Sequence, residues 1–153
     1  MSDVDLLNQT LALEFFGIAA YDAGLETGLL DEPTADAARA FRSDHMKHAD
    51  LVTEAIGAHG GVPVSPRSAD DYAKAFPALT TANAVVAFAA EVEETAARAY
   101  IASVPGYEDR SLALLGAEIG AVEAQHWAVL LAASGANPVP SPIIDVKMAS
   151  RAQ

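Results

Sequence analysis

Not one of the 153 residues is a cysteine. Disulfides and thiolate metal sites are therefore excluded, and any bound ion must be held by oxygen or imidazole nitrogen. Basic residues are scarce as well: nine Lys and Arg stand against 21 Asp and Glu, for a net charge of −12. Such a balance argues against nucleic acid as a partner, because phosphate contacts need clustered positive charge. Charges interrupt every apolar stretch before it reaches the ~20 residues that a membrane-spanning helix needs. The opening Met1-Ser2-Asp3-Val4-Asp5 lacks a basic region followed by an apolar one, so a cytoplasmic protein without a secretory signal is expected. An acidic surface fits attraction of cations and equally fits simple solubility.

What the sequence does have is apolar residues, 52% of the total, with abundant alanine and few β-branched runs between residues 4 and 135. That mixture favours helices packed closely through small side chains. The length fits a single domain, and four helical segments are expected. The first runs from about Asp5 to Leu30 on a stripe of Leu7, Leu11, Ile18, Leu25 and Leu29. Asp31-Glu32-Pro33 separates it from the second, which reaches about His59 before Gly60-Gly61. A long connection to about Leu79 contains Pro63, Pro66 and Pro77, with a short helical turn expected over Asp70 to Phe76. The third segment is capped by Thr80 or Thr81 and ends near Val104. The fourth spans about Glu108 to Ser134 and stops at Gly135. The expected architecture is all-α: an antiparallel four-helix bundle over residues 1–135, built of two hairpins joined by one long crossover. Residues 136–153, with their prolines, form an extended tail that would suit an interaction with a neighbouring subunit.

Helical-wheel arithmetic places ionisable residues inside the apolar stripes. Glu14 falls in the first stripe and both His45 and His48 in the second. Glu93 lies in the third, while Glu91 and Glu94 point away. Glu123 and His126 fall in the fourth. Buried carboxylates are costly unless paired, protonated or bound to a cation, and a divalent ion would turn the cluster into a ligand shell. Glu123-x-x-His126 and His45-x-x-His48 each have i, i+3 spacing, which brings both side chains to one face.

The two halves of the chain also form a quasi-repeat. Tyr21 follows Glu14 by seven residues and Tyr100 follows Glu93 by seven; Glu14 precedes His45 by 31 and Glu93 precedes Glu123 by 30. A tyrosine two turns from each glutamate is placed to hydrogen-bond a ligand carboxylate. Each residue taken singly is more simply a core aromatic or a satisfied polar group. It is the joint convergence that points to a metal site. His59 lies about three turns beyond His48, too far to share an ion, and reads as a helix-end residue near the last carbonyls.

Leu13-Glu14-Phe15 with Tyr21, Asp44-His45-Met46-Lys47-His48, Glu93-Glu94 with Tyr100, and Glu123-Ala-Gln-His126 together resemble the ferritin-like superfamily over about 130 residues. Within it the chain is most similar to small bacterial ferritin-like domain proteins rather than to cage-forming ferritins. The resemblance implies a carboxylate-rich site for two iron or manganese ions, with Glu14, His48, Glu93, Glu123 and His126 as ligands, and redox chemistry towards dioxygen or peroxide. One position departs from the pattern: His45 stands where the family carries a glutamate that bridges the metals. Imidazole there removes a negative charge and a bridging ligand together. The site would then hold one ion, hold two asymmetrically, or prefer zinc, with Asp44 at the stripe's edge as a substitute carboxylate or supporting group. A non-catalytic zinc-binding or metal-free protein is the alternative, and a homodimer is the expected assembly.

Overall fold

Each long helix starts where a short polar side chain takes up an orphan backbone N–H. The structure, a computed structural model, describes residues 1–146; residues 147–153 of the expected tail lie outside the described residues. Helix α1 (Asp3–Glu26) opens with a capping box, in which Ser2 Oγ accepts from Asp5 N and Asp5 Oδ2 accepts from Ser2 N. Asp31 caps α2 (Glu32–Ala58), with Pro33 in its first turn, where a missing N–H costs nothing. A short α3 (Ala69–Ala73) interrupts the crossover. Thr81 caps α4 (Ala82–Ser103), and Asp109 caps α5 (Arg110–Ala133) after a 3-10 turn over Val104–Gly106.

The first helix is shorter than its apolar stripe predicts. Thr27 turns its hydroxyl back onto the Gly24 carbonyl, and Gly28 takes φ +63°, a left-handed conformation that ends the helix. Leu29, expected in the buried stripe, is consequently 42% exposed.

The helices α1 and α2 pack as one hairpin and α4 and α5 as another, with α1 against α4 joining them and a slighter contact between α2 and α5. Two side chains fasten the connections. Asn8 donates to the Val62 carbonyl and accepts from Val64 N, pinning the crossover to α1. Asp3 accepts from the backbone N–H of Glu108 and Asp109, tying the start of α1 to the α4–α5 turn.

Apolar packing forms two separate clusters. One unites Leu7, Leu11, Val52, Ile56, Leu112 and Ile119; the other gathers Ala20, Phe88 and Val92 with Phe16, Phe76 and Leu79. Along α1 and α4 the ionisable residues fall between these clusters, and on α2 and α5 they lie next to the residues of the first, so the bundle encloses a polar layer. Tyr72 of α3 packs edge-on against Phe16 and its hydroxyl accepts from Arg67 N, which gives the crossover its own anchor. Residues 136–146 contain no α-helix, and within them the Asp145 carbonyl accepts from Arg98. Among the described residues no helix is long and apolar enough to cross a membrane.

Candidate metal centre

The polar layer brings together six side chains from the four long helices. Glu14, His45, Glu93 and Glu123 are fully buried, while His126 and His48 keep 5% and 7% of their surface exposed. His45 sits at the centre. Its Nδ1 lies 2.7 Å from Glu14 Oε2 and its Nε2 3.2 Å from Glu93 Oε1, so the ring donates to a carboxylate on either side. His48 Nδ1 lies 2.7 Å from Glu123 Oε1. His126 Nδ1 faces Glu93 Oε2 and Glu123 Oε2 at 3.5 and 3.6 Å, beyond good hydrogen-bonding range.

The tyrosines cross between the halves of the quasi-repeat. Tyr21 of α1 donates to Glu93 of α4, and Tyr100 of α4 donates to Glu14 of α1 at 2.5 Å. Burial and the adjacent carboxylate charge raise both hydroxyl pKa values well above the ordinary phenol, so both remain donors at neutral pH. Asp44 stays outside the cluster. Its side chain is 35% exposed and pairs with Lys47 at 2.9 Å, while its Oδ2 lies 3.4 Å from the outer Nε2 of His126. There it supports the ring rather than replacing the glutamate expected of the family. His59 accordingly belongs elsewhere: its Nδ1 meets the Ala55 carbonyl at the end of α2 and its Nε2 faces Asp109.

Charge is balanced within the layer. Burial works against each imidazolium, but the carboxylates overcome it. They push His45 up to about 11, and His48 and His126 up to about 9. Burial also works against the charged forms of Glu14 and Glu93, yet hydrogen bonds from the imidazoles hold both below the usual carboxylate range. Glu123 moves the other way: burial and the proximity of Glu93 raise it. The imidazoles are thus drawn towards their charged form and Glu14 and Glu93 towards theirs, so that ring protons do part of what a cation would otherwise do.

Hydrogen bonding leaves three buried atoms without a partner at this centre: Glu93 Oε2, Glu123 Oε2 and His126 Nδ1. Buried polar atoms left unpaired are costly, and here His126 Nδ1 faces the two carboxylate oxygens across the 3.5 and 3.6 Å separations given above. A divalent ion with bonds of about 2.0–2.2 Å holds neighbouring donors roughly 3–3.6 Å apart, so the donor set fits a metal. Two groups have all their donor atoms within 4.8 Å of one another: Glu14, His45, His48 and Glu123, and His45, Glu93, Glu123 and His126. His45 and Glu123 belong to both. The ring of His45 presents Nδ1 towards Glu14 and Nε2 towards Glu93.

A family model described as "Ferritin-like domain" matches residues 2–146. The chain belongs to this ferritin-like family. A crystal structure of a conserved hypothetical protein, rv2844, from Mycobacterium tuberculosis is similar in fold. It has a TM-score of 0.75 at 18% identity, over 92% of this chain and 96% of that one. No curated protein matches the sequence.

One contributor to this ferritin-like centre was not singled out from the sequence. Gly17 of α1 lies against His45, and a Cβ there would stand 2.8 Å from its Cε1 and 2.9 Å from its Nε2. The signal was present, since a glycine inside a helix costs about 1 kcal/mol against alanine and calls for a packing reason. Gly17→Ala is expected to destabilise the protein by about 1–2 kcal/mol through the forced shift of a ring already bonded on both sides. Gly57→Ala, on a helix with nothing within 4 Å, is expected to stabilise by up to about 1 kcal/mol. Urea melts of the two variants should move in opposite directions.

Proposed function

We propose that this ferritin-like protein binds one or two divalent transition-metal ions in the buried Glu/His layer and is redox-active towards dioxygen or peroxide, as an oxidase or ferroxidase would be. The observation that carries the reading is the set of three unpartnered donors, Glu93 Oε2, Glu123 Oε2 and His126 Nδ1, at metal-ligand spacing. The proposed ligands are Glu14, His45, His48, Glu93, Glu123 and His126, with Tyr21, Tyr100 and Asp44 supporting them. Iron or manganese, when bound, would supply the electrons for such chemistry. The chain's own residues do the rest. Tyr21 and Tyr100 fix the direction of Glu93 and Glu14. Phe41 stacks on His126 with ring centroids 4.0 Å apart and shields that ring from water. His48 and His126 are the two members of the layer that keep any exposed surface.

A second reading, a zinc-binding or metal-free protein without catalysis, is favoured by the internal charge balance, since the imidazolium rings already neutralise the carboxylates. Metal analysis of protein purified without added metal, followed by oxygen consumption after anaerobic loading with ferrous iron, separates the two. Stoichiometric iron with oxygen uptake at least tenfold above free ferrous ion is the expected result. Zinc, or no metal, with oxygen uptake at the background rate supports the second reading.

A further inference from the structure

We propose that His45 is a shared ligand, giving up both ring protons to solvent as the ions enter and placing Nδ1 on one cation position and Nε2 on a second, so that the centre holds a pair of ions joined by an imidazolate where the family has a carboxylate. This deepens the metal-binding reading and rests on it. Four donor atoms close a ring on the first side: His45 Nδ1 to Glu14 Oε2 is 2.7 Å, Glu14 Oε2 to His48 Nδ1 3.7 Å, His48 Nδ1 to Glu123 Oε1 2.7 Å, and Glu123 Oε1 to His45 Nδ1 3.6 Å. Sides averaging about 3.2 Å put the middle of such a ring roughly 2.2 Å from every corner, a metal–ligand distance. On the second side His45 Nε2 is 3.2 Å from Glu93 Oε1, and the unpartnered oxygens of Glu93 and Glu123 face His126 Nδ1.

Glu123 divides itself in the same way, with Oε1 on the first side and Oε2 on the second. Two residues, one imidazole and one carboxylate, thus stand between two otherwise distinct ligand groups, the first completed by Glu14 and His48 and the second by Glu93 and His126. The position of the ring is built rather than incidental. It is fully buried, Gly17 has no side chain where the ring lies, and Tyr21 is tilted against it at 5.6 Å between centroids. Were the ring only a spacer between Glu14 and Glu93, its nitrogens would stay on those carboxylates and a single position, around His126, would remain.

Copper(II) tests this on the full-length chain, because mixed imidazole and carboxylate sites favour it over other divalent first-row ions and its unpaired spin reports on a neighbouring ion. After copper loading and dialysis, two ions per chain are expected. The electron paramagnetic resonance signal should rise with the first equivalent and then fall with the second to less than half the spins of the copper present, as the two couple through the ring. In His45→Phe and in His45→Gln, with folding checked by circular dichroism, that coupling should vanish and both binding steps should weaken by at least about tenfold. One ion per chain at saturation overturns the proposal while leaving metal binding intact. So do two ions whose spins simply add in the unmodified protein, a result that needs no folded variant. Failure to retain copper at all overturns the metal-binding reading as well.

Discussion

Glu123→Gln is expected to abolish tight metal binding on both sides of the centre with one substitution, and to destabilise the metal-free protein by about 3 kcal/mol, the low end for breaking a buried ion pair. Glu123 is the carboxylate common to both ligand groups and is fully buried. Its Oε1 takes the His48 Nδ1 hydrogen bond at 2.7 Å, and its Oε2 is one of the unpartnered atoms. The amide is nearly isosteric, so the core keeps its volume, but three imidazolium rings would then face two carboxylates in a layer that excludes water. The cost stays near the low end because burial and Glu93 already disfavour the charge of Glu123. Glu14→Gln and Glu93→Gln remove better-stabilised charges and should cost the metal-free protein more while weakening one ligand group each. Urea melts in the presence of a chelator, together with metal content by mass spectrometry, measure both effects. Retention of unmodified affinity in Glu123→Gln would contradict the central role assigned to it.

Much of this arrangement was legible in the residues, because helical periodicity and burial speak to the same pattern. Glu14, His45, His48, Glu93, Glu123 and His126 each interrupt an apolar stripe, and the structure brings all six together. Helix ends marked by Asp31, Thr81, Gly60 and Gly135 lie where capping chemistry puts them. What could not be read concerns relations between helices. Periodicity shows that Tyr21 shares a face with Glu14, but only packing shows that it reaches Glu93 on another helix. Likewise, Gly17 and His45 are linked by contact across α1 and α2, which no spacing along one helix encodes. Leu29 fits its stripe and is nevertheless exposed, because the left-handed turn at Gly28 redirects the chain before the stripe is complete. The charge balance was hidden for a related reason. Counting carboxylates predicts repulsion, whereas the pairing of each ring with a particular carboxylate depends on distances of a few ångström.

That balance makes metal affinity steeply dependent on pH, the largest effect expected of this protein. A metal needs a lone pair on each imidazole it takes, so every ring joining the shell must lose a proton. In the metal-free protein His48 and His126 titrate near pH 9 and His45 near 11, after burial has been outweighed by the carboxylates. Below pH 9 the rings are charged and each displaced proton contributes about tenfold in affinity per pH unit. Two rings give roughly a hundredfold per unit, and between pH 6 and 8 the apparent affinity for zinc should rise by about four orders of magnitude. The metal-free protein moves oppositely at the basic end. The folded-state pKa values of the three histidines are raised, so their contribution to stability is complete below the unfolded value of about 6.5 and is lost as pH climbs through 9. Glu14 and Glu93 are lowered, so theirs is present above about 4.5 and lost in acid, while Glu123, raised, partly offsets them there. Metal-free stability should therefore peak between about pH 5 and 6.5 and fall from there through pH 9, while the added stability from saturating zinc keeps growing with pH. Thermal melts with zinc and with chelator at half-unit steps from pH 6 to 8.5 test this directly. A constant gap between the two series would mean that the rings enter the metal site already neutral, and the charge balance drawn above would be wrong.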